Sequence, residues 1–274
     1  MVDILLYAED QETLLKLERS VNEARVRAKV TSEIEVCASW VKMRTFSLVV
    51  LDVSQGISRL KQCIADVWDQ NPECRVIVFG SDASIAVEAL LHGAEVATEE
   101  ELEATVLEAV QSLQQIGTGN LALEHILVVE DLDSPRDILC MFLEGLGYER
   151  ITGVASGEEA LQHLKASPNV YTTVLTDIRM PRMSGDELIR HIRKTEGLDR
   201  VPVVVLTAYG TPDCLIDCLR AGATGFLVKP PKKPDLKREL DRAHRVRRSG
   251  APVRLIAEER VDQIYALLEE RGLV

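Results

Sequence analysis

The chain has 274 residues and a formal net charge of -12, and this acidity argues against a general nucleic-acid binder. Hydrophobic residues make up 46% and charged residues 28%, which suits about two domains with apolar cores, and no apolar run is long enough to span a membrane. Six scattered cysteines lack the spacing of a zinc site, which favours reduced thiols in a cytoplasmic protein.

Apolar runs of strand length alternate with helix-period segments along the first 117 residues. The runs lie at residues 4–8, 48–52, 75–80 and 95–98. Continuous apolar runs are typical of strands buried on both faces, as in a parallel sheet that helices cover. A long helical segment over residues 99–115 follows, and Gly117-Thr118-Gly119-Asn120 predicts a short flexible break.

The second half repeats this order of elements with nearly the same spacing, which indicates two copies of one domain. Its apolar runs lie at 126–129, 173–177, 203–208 and 225–228, and its helices are predicted at 157–166, 185–195, 212–221 and 234–248. Strand and helix alternating five times predict an α/β fold of two doubly wound, flavodoxin-like domains with parallel strand order 2-1-3-4-5.

The predicted domain boundaries are a first domain over residues 1–117, a linker over 118–123, a second domain over 124–248 and a C-terminal helical extension over 249–274. One apolar helical face of the extension is predicted from Val261, Ile264, Leu267 and Leu268. The extension is too short for a DNA-reading domain, so direct DNA binding is not expected.

Polar side chains follow the strands of the second copy at the points where the strands end. Glu130 and Asp131 follow the first strand, Asp177 ends the third, Thr207 lies at the end of the fourth and Lys229 follows the fifth. Because ligands bind at the carboxyl ends of such strands, we expect these groups to converge. Clustered carboxylates call for a cation such as Mg²⁺, and an aspartate can accept a phosphoryl group.

The stretches around these ends resemble the receiver domain of bacterial response regulators. The resemblance rests on residues 126–131, on Thr-Asp-Ile-Arg-Met-Pro-Arg-Met-Ser-Gly at 176–185, on Leu206-Thr207-Ala208 and on Gly-Phe-Leu-Val-Lys-Pro at 225–230. Together they cover residues 124–248 in the family's order. The resemblance implies a CheY-like fold and two-component phosphorelay signalling without enzymatic turnover, in which a sensor histidine kinase or a phosphotransfer protein supplies the phosphoryl group.

The resemblance also implies the role of each acidic residue at the strand ends. Asp177 would be the phospho-acceptor, forming an aspartyl phosphate. Mg²⁺ would be bound directly by Asp131 and Asp177, through water by Glu130, and by the backbone carbonyl of Arg179.

Three further residues would hold the phosphoryl group or respond to it. Thr207 and Lys229 would bind the phosphoryl oxygens, and the aromatic Phe226 would swing inward together with Thr207 as a switch. The message would then pass through altered protein contacts, to a downstream protein target or to a second chain in a homodimer formed through helix four, strand five and helix five. Arg179 and Tyr209 lie where side chains can cover the phosphoryl group, which predicts a long-lived phosphorylated state.

The first copy keeps only part of this set. Asp52 aligns with the phospho-acceptor and Glu9 with the metal-binding aspartate, whereas Gly80 stands in place of the threonine and Ala97 in place of the aromatic residue. No lysine follows the last strand, where acids at 99–101 would repel a phosphoryl group. We therefore interpret residues 1–117 as a degenerate receiver that binds a partner or dimerises.

Alternatives to this interpretation stay open. Asp10 could replace Glu9, and Ser81 could help Asp52 to remain a phosphorylation site. The pair of domains could be a scaffold that does not switch. Asp131-Leu132-Asp133-Ser134 also resembles the Asp-x-Asp motif of haloacid-dehalogenase-type phosphatases, but that family needs an acidic pair beyond the lysine, where this chain has Pro230-Pro231 and a basic helix.

Overall fold

A computed structural model describes residues 3–54, 57–80, 83–114, 121–249 and 253–270. The chain divides into two compact units, Met1–Thr118 and Gly119–Val274. The predicted break at residues 117–120, the predicted helper Ser81 and the start of the extension at 250–252 lie outside the described residues. Within the described ranges, none of the helices combines the length and apolarity needed to cross a membrane.

In the described part of the first unit, five strands alternate with five helices. The strands are β1 (Ile4–Tyr7), β2 (Ala28–Thr31), β3 (Leu48–Asp52), β4 (Arg75–Phe79) and β5 (Glu95–Ala97). The helices are α1 (Gln11–Glu23), α2 (Ile34–Met43), α3 (Ile57–Gln70), α4 (Ala83–Leu91) and α5 (Glu99–Gln114). The strands pair in parallel in the order β2-β1-β3-β4-β5, which confirms the predicted order 2-1-3-4-5.

The second unit repeats this architecture and adds one helix. Its strands are β6 (His125–Val129), β7 (Arg150–Val154), β8 (Thr173–Asp177), β9 (Val203–Thr207) and β10 (Gly225–Val228). Its helices are α6 (Asp133–Glu144), α7 (Gly157–Ala166), α8 (Gly185–Lys194), α9 (Pro212–Ala221), α10 (Lys233–Ser249) and α11 (Glu258–Glu270). The parallel order β10-β9-β8-β6-β7 is the same topology read from the other edge, so the predicted class of two flavodoxin-like α/β domains is confirmed.

The central strands of the second unit are apolar on both faces because helices cover both faces of the sheet. Ile126 and Val128 of β6 and Leu175 of β8 pack against Leu139 of α6 and Leu240 of α10 in one cluster. Leu127 and Val129, which point to the opposite face in a pleated strand, are also fully buried. Because both faces are packed, polar side chains of β6 and β8 are found mainly at the strand ends.

The C-terminal helix α11 packs onto α9 through part of its predicted apolar face. Val261, Ile264 and Leu268 are buried, whereas Leu267 is 40% exposed. Of the four residues of the predicted apolar face, three are therefore buried and Leu267 remains partly in solvent. At 100° per residue, Leu267 lies at the margin of the stripe that runs from Val261 to Leu268, so packing against a single helix leaves it in solvent.

A buried histidine, His244, lies in α10 beneath the sheet, with its Nε2 atom 3.7 Å from Oε2 of Glu124. Its pKa is lowered from the ordinary value near 6.5, mainly by burial, while Glu124 and Asp241 oppose this shift and Arg247 and Arg248 add to it. The folded unit thus binds a proton at His244 less readily than the unfolded chain does. The corresponding stability is present above about pH 6.5 and is lost as the pH falls below it.

We predict that His244 makes the free energy of unfolding of the second unit fall as the pH is lowered from about 7.5 to about 5.5. His244→Gln should flatten this pH dependence, whereas His191→Gln, at an exposed position of α8, should leave it unchanged. The measurement is urea unfolding followed by hydrogen exchange of peptides from residues 121–249, because both tryptophans, Trp40 and Trp68, report the first unit. If the free energy of unfolding depends on pH equally in wild type and His244→Gln, the prediction is contradicted.

Candidate functional site

Three carboxylates converge at the carboxyl edge of the second sheet. Glu130, Asp131 and Asp177 each bring one oxygen atom to a group in which all of these atoms lie within 4.8 Å of one another. Glu130 is 1% exposed, and the other two residues are half-buried. The parallel register pairs Val129 with Thr176, so the residues after β6 and at the end of β8 leave the sheet side by side. The predicted convergence of the acidic side chains is present in the structure.

The ammonium group of Lys229 reaches this acidic group from the end of β10. Its Nζ atom lies 2.5 Å from Oε2 of Glu130 and 3.0 Å from Oδ2 of Asp177. Burial raises the pKa of Glu130, and hydrogen bonding and charge attraction from Lys229 oppose this rise. With all groups ionised, three carboxylates face one ammonium, which leaves an excess of two negative charges. Oxygen ligands with this charge excess fit a divalent cation such as Mg²⁺.

The backbone around Asp177 is held by a close approach of α8. Oδ1 of Asp177 accepts a hydrogen bond from the Ile178 amide at 2.7 Å, and the Gly185 amide donates to the Ile178 carbonyl at 2.8 Å. A Cβ atom at Gly185 would lie 2.2 Å from the backbone oxygen of Asp177. Only glycine fits there. The sequence signal for this helix start is the capping box in which Ser184 and Glu187 bond each other's backbone.

The hydroxyl of Thr207 contacts the following loop and α9 in this structure. Its Oγ1 accepts a hydrogen bond from the Tyr209 amide at 3.0 Å and lies 3.6 Å from Sγ of Cys214 in α9. Thr207 is 1% exposed, and Phe226 on the neighbouring β10 is equally buried. The contact with Cys214, which sequence reasoning missed, links the end of β9 to the first turn of α9.

Arg179 and Tyr209 form a stacked pair. The guanidinium carbon of Arg179 lies 4.1 Å from the centroid of the Tyr209 ring, and 47% of Tyr209 remains exposed. The sequence analysis predicted that both side chains can cover a phosphoryl group. It did not predict that they stack on each other. The stack holds an apolar ring and a cation together beside the carboxyl edge of the sheet.

The acids that follow β6 could have served to cap the next helix or to form a phosphatase motif, and the structure supports neither role. Helix α6 has Leu132 as its N-cap without a side-chain cap bond, so Glu130 and Asp131 do not cap it. Asp133, the second acid of the Asp-x-Asp pattern, is 85% exposed at its side chain and pairs with Arg136 on its own helix. The phosphatase alternative therefore lacks a second buried acid at this motif.

The first unit arranges its corresponding residues differently. Oδ2 of Asp52 accepts a hydrogen bond from the Glu9 amide at 3.2 Å, and Oδ1 accepts one from the Ser54 amide at 3.0 Å. Asp10 caps α1 by accepting bonds from the backbone and hydroxyl of Thr13, both at 2.7 Å, which is a structural role. Ala8 stands where the second unit has Glu130, a loss that sequence reasoning missed. Across the described residues, no comparable acidic group occurs in this unit.

The strand register corrects one position of the first copy. Val96 pairs with Val78 of β4, as Phe226 pairs with Val205 of β9, so Val96 and not Ala97 takes the place of the aromatic residue. The sequence comparison was one residue out of register because the second copy has an additional residue, Thr224, before its last strand. The conclusion that an aromatic side chain is missing there is unchanged.

Together, the doubly wound sheet and the acidic group with its lysine define a receiver-type signalling domain in the second unit. Residues 126–241 match the family model described as response regulator receiver domain. Two-component response regulator ORR11 from rice (Oryza sativa) is 35% identical over 127 residues, which are 46% of this chain and 85% of the relative. The chain therefore belongs to the two-component response regulators.

Two solved structures are also similar to this chain. The chemotaxis protein CheY4 of Vibrio cholerae is 30% identical, covers 44% of this chain and 99% of its own, and has a TM-score of 0.42. The receiver domain of the sensor histidine kinase PA1611 from Pseudomonas aeruginosa, solved with magnesium in its active-site cleft, is 36% identical, covers 44% and 97% of the two chains, and has a TM-score of 0.41.

The family model and the rice relative confirm the resemblance to response regulators. The curated relative is a rice protein, so the bacterial part of the expectation stays a prediction, as does the degeneracy of the first unit.

We predict that Gly185→Ala destabilises the second unit by about 1–3 kcal/mol, because its methyl group overlaps the Asp177 backbone oxygen. Gly157→Ala is the matched control, since Gly157 is likewise the first residue of a helix after a serine cap. Its methyl group would meet the flexible side chain of Met183, so the cost should be smaller. Urea unfolding read by hydrogen exchange of the second unit measures both, and equal costs would contradict the prediction.

Proposed function

We propose that the second unit accepts a phosphoryl group on Asp177 from the phosphohistidine of a sensor kinase or of a phosphotransfer protein, and signals through changed protein contacts. The observation that carries this proposal is the ammonium of Lys229 at 3.0 Å from the Asp177 carboxylate, inside a group of three acids. A structural ion pair would need one acid. Three acids around one lysine leave uncompensated negative charge, which costs stability unless a cation is bound.

The residues that would hold Mg²⁺ are the carboxylates of Asp131 and Asp177, the backbone carbonyl of Arg179 and, through water, Glu130. The ion, when bound, supplies positive charge that offsets the phosphoryl oxygens beside the carboxylates. The support for this assignment is the oxygen chemistry and the charge excess of the group.

The transfer itself is a displacement at phosphorus. A carboxylate oxygen of Asp177 forms the new O–P bond while the N–P bond of the donor phosphohistidine breaks, and the leaving imidazole takes up a proton. The Ile178 amide holds Oδ1 of Asp177 at 2.7 Å, which orients the nucleophile. Lys229 remains next to the reacting oxygens and stabilises the charge that they carry.

The switch would begin at Thr207. Its hydroxyl would leave the Tyr209 amide and bond a phosphoryl oxygen, and Phe226 would follow into the space that opens. The surfaces that change are those of α9, β10 and α10, which correspond to the predicted helix four, strand five and helix five. A downstream protein or a second copy of the chain would bind there.

For the first unit we propose the role of a degenerate receiver that binds a partner. Its support is Asp52, which is satisfied by nearby amides, and Glu99, which follows the last strand where the second unit has Lys229. A cytoplasmic location is proposed for the chain from its six free cysteines. The alternative, a scaffold of two domains that do not switch, does not explain why three carboxylates are gathered around one lysine at Asp177.

We predict that a small-molecule phosphodonor with Mg²⁺ adds one phosphoryl group to the wild-type chain and none to Asp177→Asn. Asp52→Asn, the matched change in the first unit, should be labelled like wild type. Lys229→Gln should be labelled about 100-fold more slowly, because it removes a charge that stabilises the transfer. Intact-mass measurement over time reads all four proteins, and labelling of Asp177→Asn or of none of them would refute the proposal.

We further predict that Tyr209→Ala shortens the lifetime of the phosphorylated state about fivefold, equivalent to losing a stacking contact of ~1 kcal/mol. The Arg179–Tyr209 stack should limit the access of water to the phosphoryl group. Tyr209→Phe keeps the ring and serves as the control with an unchanged lifetime. The measurement is loss of the added mass after the phosphodonor is removed, and a wild-type lifetime of seconds that Tyr209→Ala does not change would contradict it.

A further inference from the structure

The C-terminal segment at residues 253–270, here named the strap, folds back onto the second unit. The Thr224 hydroxyl donates to the carbonyl of Val253 at 2.5 Å, and the amide of Leu255 donates to the carbonyl of Ala223 at 2.7 Å. Both bonds are made to the loop between α9 and β10. They bring α11 into position along α9.

Arg220 in the last turn of α9 connects the strap to that helix. Its Nε atom lies 3.2 Å from Oδ1 of Asp262, and its guanidinium carbon lies 4.2 Å from the centroid of the Tyr265 ring. The apolar residues Val261 and Ile264 are buried beside this charged contact. The strap thus covers the end of α9 with an ion pair, a cation–π contact and a short apolar stripe.

The opposite end of α9 adjoins the candidate phosphorylation site. The helix starts with the cap Thr211, and Cys214 in its first turn lies 3.6 Å from the Thr207 hydroxyl. Cys214 and Arg220 are six residues apart on one helix, a separation of about 9 Å along its axis. Because backbone hydrogen bonds make a short helix stiff, a displacement of α9 at Cys214 would also displace Arg220.

We propose that the strap is a built-in occupant of the α9 surface that is released when Asp177 is phosphorylated, which exposes that surface to a protein partner. This inference rests on the proposed function of Asp177. The partner that the surface fits is an amphipathic helix with the features of α11: apolar residues spaced as Val261, Ile264 and Leu268, and an acid placed to pair with Arg220.

Two features make the strap suited to reversible binding. Val253 and Ile256 hold the start of the strap, but the contact of α11 itself is small, with three buried apolar residues. The Arg220–Asp262 pair is partly in solvent, so it contributes little. Coupling between two sites is reciprocal at equilibrium. A strap that phosphorylation releases must therefore also oppose phosphorylation while it is bound.

The test is hydrogen exchange of the full chain, with and without beryllium fluoride and Mg²⁺ as a reversible phosphoryl analogue. We expect the amides of residues 258–270 to exchange at least about fivefold faster with the analogue, and Asp177→Asn to show no change. Ile264→Ser should exchange fast without the analogue and bind the analogue about fivefold more tightly, by reciprocity. Leu267→Ser, an exposed position on the same helix, is the matched control.

Arg220→Gln provides a second route, because it removes the ion pair and the cation–π contact without touching the core. Faster exchange of the strap in Arg220→Gln, with tighter analogue binding, supports the proposal even where Ile264→Ser fails to fold. If analogue binding slows hydrogen exchange around Asp177 but leaves the exchange of residues 258–270 unchanged, the proposed release of the strap is overturned and the proposed function is not. Failure of the wild-type chain to bind the analogue, together with failure of phosphodonor labelling, overturns the proposed function and the strap with it.

Discussion

Mutual repulsion among Glu130, Asp131 and Asp177 is the constraint on which the chemistry of the second unit depends. The carboxylates meet because β6 and β8 are adjacent parallel strands whose ends lie side by side. Burial of Glu130 raises its pKa and makes the repulsion costly, and Lys229 offsets only part of it. The negative charge that remains at the group favours binding of a cation. The Lys229 side chain, which follows β10, links that strand to the carboxylates after β6 and at the end of β8.

The first unit shows that the sheet does not need this group. It has the same strand order, yet Ala8 replaces the buried glutamate and Glu99 follows the last strand where the second unit has its lysine. The remaining acid, Asp52, is satisfied by the amides of Glu9 and Ser54. Fold and site are therefore separable, and the difference between the units lies in a few side chains at the strand ends.

The strand order and the residues of the acidic group could be predicted from the sequence, for a physical reason. Apolar runs identify buried parallel strands, and their carboxyl ends must meet at one edge. It was not sufficient where an outcome depends on loop length or on contacts between distant helices. The one-residue shift at Val96, the close approach of Gly185 to Asp177 and the position of Leu267 outside the buried stripe are of this kind. The first follows from loop length and the other two from tertiary packing, neither of which residue periodicity encodes.

Among the helices around the site, α9 is the one best placed to carry a change away from it. Helix α8 is fixed at its first residue, Gly185, against the backbone of Asp177, and α10 is anchored in the core by Leu236 and Leu240. Helix α9 is also packed in the core, through Leu215 and Leu219, but it alone contacts both Thr207, through Cys214 at 3.6 Å, and the strap, through Arg220, among the contacts described above. Thr207 accepts the Tyr209 amide and lies beside Cys214, so the proposed turn of its hydroxyl toward a phosphoryl oxygen would change its contacts on the α9 side. In the proposed switch, that change would act on the helix that the strap contacts.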